Sequence, residues 1–189
     1  MEAGLPDGVF NVVHGDKVAV DSLLAHPGVK SISFVGSTSI AKYVYENGTK
    51  AGKRVLALGG AKNHMIVLPD ADLELAADAA INAGFGSAGE RCMAISAIIA
   101  VEPIADQLIE KIKVRALKIK TGDGTTNADM GPLVTKVHRD KVASYIDAGE
   151  KDGAKVVVDG RNVEMAGDGF WLGPTLFDHV KPDMSIYLE

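Results

Sequence analysis

The stretch SISFVGSTSIAKYVYENGTKAGKRVLAL, residues Ser31–Leu58, decides the fold class. Its two ends, Ser31–Val35 and Arg54–Leu58, are short apolar runs that predict strands. Thr38–Gly52 lies between them and predicts a helix that ends at glycine. A strand, a helix and a second strand in this order are typical of a parallel βαβ unit. The stretch therefore predicts an α/β fold built on a parallel sheet.

The alternation continues on both sides of this unit. Towards the N-terminus we predict a strand and then a helix, at Val9–Val13 and Lys17–Ala25. Towards the C-terminus, aspartates suited to a helix N-terminus precede Leu73. The nearly continuous apolar run Ile95–Val101 predicts a strand buried on both faces. The last residues, Ser185–Glu189, predict the middle or the end of a strand. The remaining predictions are strands at Met65–Leu68, Ile95–Val101, Lys155–Val158 and Ser185–Glu189, helices at Leu73–Phe85, Ile104–Lys118 and Lys136–Asp152, and a loop at Gly122–Pro132.

The composition narrows the class of protein. The 189 residues are 47% hydrophobic and 24% charged, which is enough apolar material for a packed core. The net charge is −5 and the charges are interspersed, so we expect neither a nucleic-acid surface nor a membrane-binding patch. No apolar run has the length of a membrane span. A single cysteine fits a reducing compartment, so we expect a cytoplasmic protein, or a mitochondrial matrix protein in a eukaryote.

The only cysteine, Cys92, lies in the run GSAGERCMA, residues Gly86–Ala94. The glycines predict a turn directly after the helix Leu73–Phe85. Arg91 places a cation beside the thiol, which favours the nucleophilic thiolate, and its guanidinium suits a substrate carboxylate. The alternative is a buried structural cysteine, since free cysteine is among the most buried residue types. Cys92 is therefore a candidate nucleophile and Arg91 a candidate carboxylate-binding residue.

Two glycine-containing turns follow the strands of the βαβ unit. Gly36 and Ser37 lie between a strand and a helix, where free backbone N–H groups and the helix dipole suit a phosphate. The alternative at Ser37 is an ordinary helix cap. Gly59 permits a close backbone approach to a ligand. His64 follows, and we interpret it as a turn or packing residue; no second histidine lies at metal-binding spacing, so we expect no metal site.

Taken together, the motifs resemble the NAD-dependent aldehyde dehydrogenase superfamily. Their order along the chain is more specific than any single one. The resemblance implies the family's fold, a nucleophilic Cys92 that forms a thioester, and NAD as cofactor with its pyrophosphate at Ser37. The motifs are GVFNVV (Gly8–Val13), FVGST (Phe34–Thr38), GERCMA (Gly89–Ala94), DMGPL (Asp129–Leu133) and GPT (Gly173–Thr175).

A departure from the family pattern implies the CoA-acylating branch. Most members have a glutamate in L-E-L-G-G-K that activates the water for thioester hydrolysis. This chain reads LALGGAKNH from Leu56, so that position falls on Leu58 or Ala57, and neither is a base. The resemblance therefore implies coenzyme A as co-substrate and a small semialdehyde whose carboxylate Arg91 holds. The resemblance also implies a cofactor site formed by Gly36, Ser37, Leu58 and Gly59.

The resemblance covers only part of the family's length. It implies that residues 4–58 are the C-terminal part of an NAD-binding domain and residues 59–187 the N-terminal part of a catalytic domain, truncated at both ends. Three parts of the family's sites would lie outside this chain. They are an upstream asparagine of the oxyanion hole, an upstream lysine that binds the adenosine, and a downstream segment that binds the nicotinamide ribose. The resemblance also implies a parent homodimer or homotetramer. Because parts of both sites would be missing, we expect the isolated chain to be nearly inactive. The alternatives are a hydrolytic dehydrogenase, a non-catalytic folded module and a redox-sensing thiol.

Overall fold

A computed structural model describes residues 3–163 and 168–189. The chain divides into two compact units, Met1–Gly60 and Ala61–Glu189. Residues 164–167, which fall in the second predicted part, lie outside the described residues.

The first unit contains the predicted βαβ stretch. Strands β1 (Ser31–Val35) and β2 (Arg54–Leu58), connected through helix α2 (Thr38–Lys50), run parallel, with Ser31 opposite Arg54 and Val35 opposite Leu58. The buried Gly48 lets α2 approach the sheet closely, because a Cβ there would lie 2.7 Å from Val55 Cγ2. The strand bounds are as predicted, and α2 ends two residues before the predicted Gly52. The elements are α1 (Lys17–Ala25), β1 (Ser31–Val35), α2 (Thr38–Lys50) and β2 (Arg54–Leu58).

The predicted strand at Val9–Val13 is wrong. The segment has only local hydrogen bonds, from Val9 N to Pro6 O at 3.4 Å and from Asn11 Nδ2 to Gly8 O at 2.9 Å. Phe10 is 74% exposed. A strand needs a neighbour to pair its backbone groups, and none of the described strands lies beside this segment. The apolar pattern alone was therefore insufficient.

The described part of the second unit has two small sheets. Strands β3 (Asn63–Val67) and β4 (Ile95–Ala100) are parallel, and β5 (Lys155–Val158) and β6 (Leu176–Asp178) are antiparallel. The three predicted helices are within two residues of prediction at each end, but the three-residue strand β6 was not predicted. The elements are β3 (Asn63–Val67), α3 (Leu73–Phe85), β4 (Ile95–Ala100), α4 (Ala105–Ala116), α5 (Lys136–Lys151), β5 (Lys155–Val158), β6 (Leu176–Asp178) and α6 (Ser185–Leu188), with short 3-10 turns at Gly86–Gly89, Gly124–Thr126 and Gly160–Asn162.

Helix α3 packs against α4 at the centre of the second unit. Its small residues Ala76, Ala77 and Ala80 are buried and leave room for Leu108 and Ile112 of α4. The helix begins as predicted on an aspartate: the Asp72 carboxylate accepts hydrogen bonds from two first-turn amides. The segment that carries Cys92 follows α3 directly, so this packing fixes the segment's starting point.

Two predictions in this unit are corrected. Strand β4 is not buried on both faces, because Ser96 is exposed and Ile99 is 46% exposed; the helices cover one face of the two-stranded sheet. The last residues form helix α6 instead of a strand. The Asp152 carboxylate accepts hydrogen bonds from Ser185 N at 3.0 Å and Ser185 Oγ at 2.7 Å, which satisfies a first-turn amide of that helix. This partner is distant in sequence, so local pattern could not reveal it.

Candidate active site

Cys92 is exposed at the corner of a β-turn between α3 and β4. The turn spans Arg91–Ala94 and is closed by a hydrogen bond from Ala94 N to Arg91 O at 3.0 Å. No acceptor among the described residues binds the Cys92 amide. Cys92 is thus exposed, and its amide is unpaired within the described residues. This exposure overturns the alternative of a buried structural cysteine.

The backbone before Cys92 is strained. Ser87 and Ala88 adopt left-handed conformations, with φ of 51° and 53°, and Gly89 follows with φ of 76°. Left-handed backbone costs a non-glycine residue about 1–3 kcal/mol and persists where the surroundings enforce it, commonly at functional sites. The amide of Glu90 bonds to Ser87 O at 3.0 Å, which closes this left-handed segment. The predicted glycine-bracketed turn is confirmed, and its strain marks the approach to Cys92.

Asn63 holds the Cys92 turn from the neighbouring strand. It is the first residue of β3, and its Nδ2 donates to Cys92 O at 2.9 Å and to Ala94 O at 2.8 Å. Sequence reasoning missed this residue. No local signal in the sequence could have found it, because its role depends on β3 lying beside β4.

Glu90 ties the same segment to α5. Its carboxylate lies 3.1 Å from His138 Nε2, in the first turn of that helix. The Thr135 hydroxyl accepts from the His138 amide at 3.1 Å, which fixes the start of α5. The segment that carries Cys92 is therefore anchored both to a strand and to a helix.

Arg91 points back towards α3. Its Nη2 donates to Asn82 O at 2.6 Å, and the guanidinium lies over Gly86, where a Cβ would come within 2.7 Å of Nη2. Since a guanidinium has five N–H donors, this contact leaves donors free for a second acceptor. The exposed Arg91 is thus both a brace for the end of α3 and a cation next to Cys92.

The structure brings the predicted cofactor residues together at the carboxyl ends of β1 and β2. The Gly36 amide donates to Leu58 O at 3.1 Å, and the Gly60 amide donates to Thr38 Oγ1 at 3.1 Å. Ser37 precedes the first turn of α2 but makes no capping hydrogen bond, so its hydroxyl is not used as an ordinary cap. Ligands of open α/β sheets bind at this end of the strands.

Gly59 is required by the packing of this turn. A Cβ there would lie 2.9 Å from Thr38 Oγ1 and 3.2 Å from Thr38 Cα. Leu58 is 50% exposed beside it. The turn thus presents backbone, a free Ser37 hydroxyl and the first amides of α2, a donor set that fits a pyrophosphate.

His64 has packing contacts, as predicted. Its ring meets Tyr187 edge-on at 5.6 Å, and its Nε2 lies 3.0 Å from the Tyr187 hydroxyl. Across residues 3–163 and 168–189 there is no cluster of three His, Cys, Asp or Glu side chains that could hold a metal ion. Within the same residues, the helices are too short or too polar to cross a membrane.

Comparison with known proteins places the chain in a family. The sequence profile of the aldehyde dehydrogenase family matches residues 1–189. The malonate-semialdehyde dehydrogenase of Pseudomonas aeruginosa is 58% identical over all of this chain, which covers 39% of that protein. The crystal structure of methylmalonate-semialdehyde dehydrogenase from Oceanimonas doudoroffii is 52% identical with a TM-score of 0.91, over 100% of this chain and 39% of that one.

A second solved structure adds a cofactor. It is that of a Sinorhizobium meliloti protein described as a methylmalonate-semialdehyde dehydrogenase and complexed with NAD, 54% identical with a TM-score of 0.90 over 98% of this chain and 39% of that one. The chain thus spans about two fifths of the length of these relatives, and the predicted resemblance is confirmed. This chain belongs to the aldehyde dehydrogenase family.

Proposed function

We propose that the protein carrying this chain oxidises a small carboxylated aldehyde, malonate or methylmalonate semialdehyde, and transfers the acyl group to coenzyme A. The observation that carries the proposal is the exposed Cys92 at the corner of a braced turn, with Arg91 beside it. The names of the relatives, malonate-semialdehyde and methylmalonate-semialdehyde dehydrogenases, support the substrate class.

Cys92 is the proposed nucleophile. Its thiolate attacks the aldehyde carbon, and the carbonyl oxygen becomes an oxyanion as the carbon–sulfur bond forms. We propose that the Cys92 amide, which has no acceptor among the described residues, donates a hydrogen bond to that oxygen. Loss of hydride from the adduct then leaves a thioester on Cys92.

NAD is the proposed hydride acceptor. When bound, it takes the hydride that leaves the tetrahedral carbon. Gly36, Ser37, Leu58 and Gly59 form its proposed site in the first unit, where the Ser37 hydroxyl and the first amides of α2 would hold the pyrophosphate. Gly59 packs closely on Thr38, the first residue of α2, so the two turns of the proposed site are in contact.

Arg91 is the proposed carboxylate-binding residue. A planar guanidinium can use one edge on Asn82 O and present its remaining N–H groups to the substrate. Holding the carboxylate next to Cys92 selects an aldehyde with an acid group close to its carbonyl. The carboxylate is subsequently lost as carbon dioxide, and a proton takes its place on the adjacent carbon, so methylmalonate semialdehyde yields a propionyl group and malonate semialdehyde an acetyl group.

Coenzyme A is the proposed acyl acceptor. The residues that align with the family's water-activating glutamate, Leu58 and Ala57, have no group that accepts a proton. The thioester therefore persists until the CoA thiol attacks its carbonyl, forms the new carbon–sulfur bond and releases Cys92. A hydrolytic enzyme that uses another base is the competing function.

The chain covers 39% of its relatives, so we propose these steps for a protein with more of the family's length. The isolated chain is expected to turn over little. We also propose that the two units are parts of an NAD-binding and a catalytic domain, that the whole protein is a cytoplasmic homodimer or homotetramer, or a mitochondrial matrix protein in a eukaryote, and that its partner is a small molecule instead of nucleic acid or membrane.

The test uses a chimera in which this chain replaces the matching segment of the P. aeruginosa relative. We expect NADH formation from malonate semialdehyde that requires CoA and yields acetyl-CoA, and no NADH from the Cys92→Ala variant. A free acid formed at the same rate without CoA would favour hydrolysis. A chimera that folds and binds NAD but does not oxidise the aldehyde would contradict the proposal.

A further inference from the structure

One side chain contacts the nucleophile turn at two points. Asn63 Nδ2 carries two hydrogens, and the two acceptors, Cys92 O at 2.9 Å and Ala94 O at 2.8 Å, use both of them. Cys92 O belongs to the Cys92–Met93 peptide and Ala94 O to the Ala94–Ile95 peptide, so the two bonds orient these two planes. The Ala94 N to Arg91 O bond holds the Met93–Ala94 plane between them, so each of three consecutive peptide planes has at least one hydrogen bond.

The two residues at the corner of the turn give it little support of their own. Cys92 is exposed and Met93 is 76% exposed, so no side-chain burial holds the corner in place. The preceding left-handed residues are strained and would relax if the turn were released. Asn63, in contrast, is half-buried at the start of β3, and β3 is hydrogen-bonded to β4, the strand that follows the turn.

We propose that Asn63 is a positioning residue for the Cys92 nucleophile: its carboxamide fixes the turn so that the thiol and the Cys92 amide keep one orientation. This role rests on the proposed function, because it matters for catalysis only if Cys92 attacks the substrate. The carboxamide donors, and not the shape of the side chain, carry the effect. Asn63 does not touch the reacting atoms.

The test separates donors from shape in the chain as it stands. Asn63→Leu keeps the approximate shape without donors, Asn63→Asp keeps the shape and turns the donor into an acceptor, and Asn63→Gln keeps the donors on a longer stem. His64→Phe is the matched control, since His64 is the next residue of β3 and bonds to Lys62 O and Tyr187 instead of to the turn.

The first readout is amide hydrogen exchange at Ala94, whose N–H closes the turn. We expect Asn63→Leu and Asn63→Asp to raise its exchange rate about tenfold, in line with the loss of two hydrogen bonds. Asn63→Gln should retain part of the protection, and His64→Phe all of it. The amide of the buried Ala77 in α3 reports whether the fold as a whole has opened.

The second readout is spectroscopic and reports the thiol itself. A ¹³C-methylthio group on Cys92, the only cysteine, should give one narrow resonance in the unsubstituted chain and in Asn63→Gln. It should move or split in Asn63→Leu and Asn63→Asp. A residue that only stabilised the fold would leave this resonance unchanged in every variant that stays folded.

Unchanged Ala94 exchange and an unchanged resonance in a folded Asn63→Leu would overturn the proposal. So would loss of Ala77 protection in both the Leu and Asp variants, because Asn63 would then hold the fold instead of the turn. Neither readout requires substrate or NAD. A chimera that fails to oxidise aldehyde would therefore refute the proposed function while these measurements still decided the role of Asn63 in the turn.

Discussion

The guanidinium of Arg91 donates a 2.6 Å hydrogen bond to the carbonyl oxygen of Asn82 in the last turn of α3. The residue proposed to bind the substrate carboxylate is therefore already held at one edge before substrate arrives. Pre-organisation of this kind reduces the entropy lost when a ligand is bound. It also means that a change at Arg91 has a structural and a binding consequence, which experiments must separate.

Replacing Arg91 by lysine should weaken recognition of the carboxylated aldehyde. Lysine keeps the positive charge but lacks the planar N–H donors with which a guanidinium binds both carboxylate oxygens. We therefore expect kcat/KM for malonate semialdehyde to fall about ten- to hundredfold in the chimera. Most of the loss should lie in KM. For an aldehyde without a carboxylate, kcat/KM should change little. An equal loss for both aldehydes would assign Arg91 to the bracing of α3 alone.

Adding a methyl group at Gly59 should impair NAD binding. The Cβ of Gly59→Ala would lie 2.9 Å from Thr38 Oγ1, so the turn must shift, and we expect the Kd for NAD to rise about tenfold in the chimera. Gly60→Ala is the matched control, because its Cβ would be 3.6 Å from the same oxygen. Equal NAD affinity in the two variants, measured by calorimetry, would argue against a nucleotide site at this turn.

Removing the Lys53 ammonium should destabilise the first unit. Lys53 is buried, and its Nζ donates to His26 O at 2.6 Å and Val29 O at 2.7 Å. Lys53→Met leaves both carbonyls without this donor, which should cost about 2–3 kcal/mol in the free energy of unfolding. The exposed Lys50→Met should cost much less. Urea unfolding, monitored by hydrogen exchange of the β1 amides, measures the unfolding free energy of both variants. An equal loss of stability in the two variants would contradict the role of Lys53.

Acid should weaken the attachment of α3 to α4. Hydrogen bonds from the Lys111 ammonium, which has the larger effect, and from the Arg115 guanidinium lower the pKa of the Glu74 carboxyl to about 2, from an ordinary value of 4.5. Because the folded pKa is lowered, the stabilisation is fully present above pH 4.5 and is lost as the pH falls towards 2. Glu74→Gln should therefore be less stable near neutral pH and lose less stability on acidification. Glu102→Gln, an exposed control, should follow the unsubstituted chain in thermal melts across this range.

Much of the fold follows from local pattern. The strands of Ser31–Leu58 and the helix Leu73–Phe85 have the predicted bounds, because apolar periodicity, glycine stops and the Asp72 cap are all encoded within a few residues. Val9–Val13 shows the limit: its residues favour a strand, but pairing depends on a neighbour that no local pattern reveals. The same holds for α6, which depends on Asp152.

The candidate site also contains both residues that the sequence reveals and residues that only the tertiary structure reveals. The sequence alone made candidates of Cys92, Arg91 and the glycine turns at Gly36 and Gly59, because their residue types suit a nucleophile, a carboxylate and a phosphate. Asn63 was missed because its role depends on β3 lying beside β4, a relationship of tertiary structure. The left-handed Ser87 and Ala88 were also unforeseen, since neither residue type favours that backbone conformation.

The central claim is that Cys92 forms a thioester that waits for coenzyme A. The most direct measurement is mass spectrometry of the Cys92 peptide from the chimera, quenched after mixing with malonate semialdehyde and NAD. We predict an acyl group on Cys92 that accumulates without CoA and disappears, as acetyl-CoA, when CoA is added. An unmodified Cys92 while NADH is formed, or an acyl group lost to free acid equally fast without CoA, would contradict the claim.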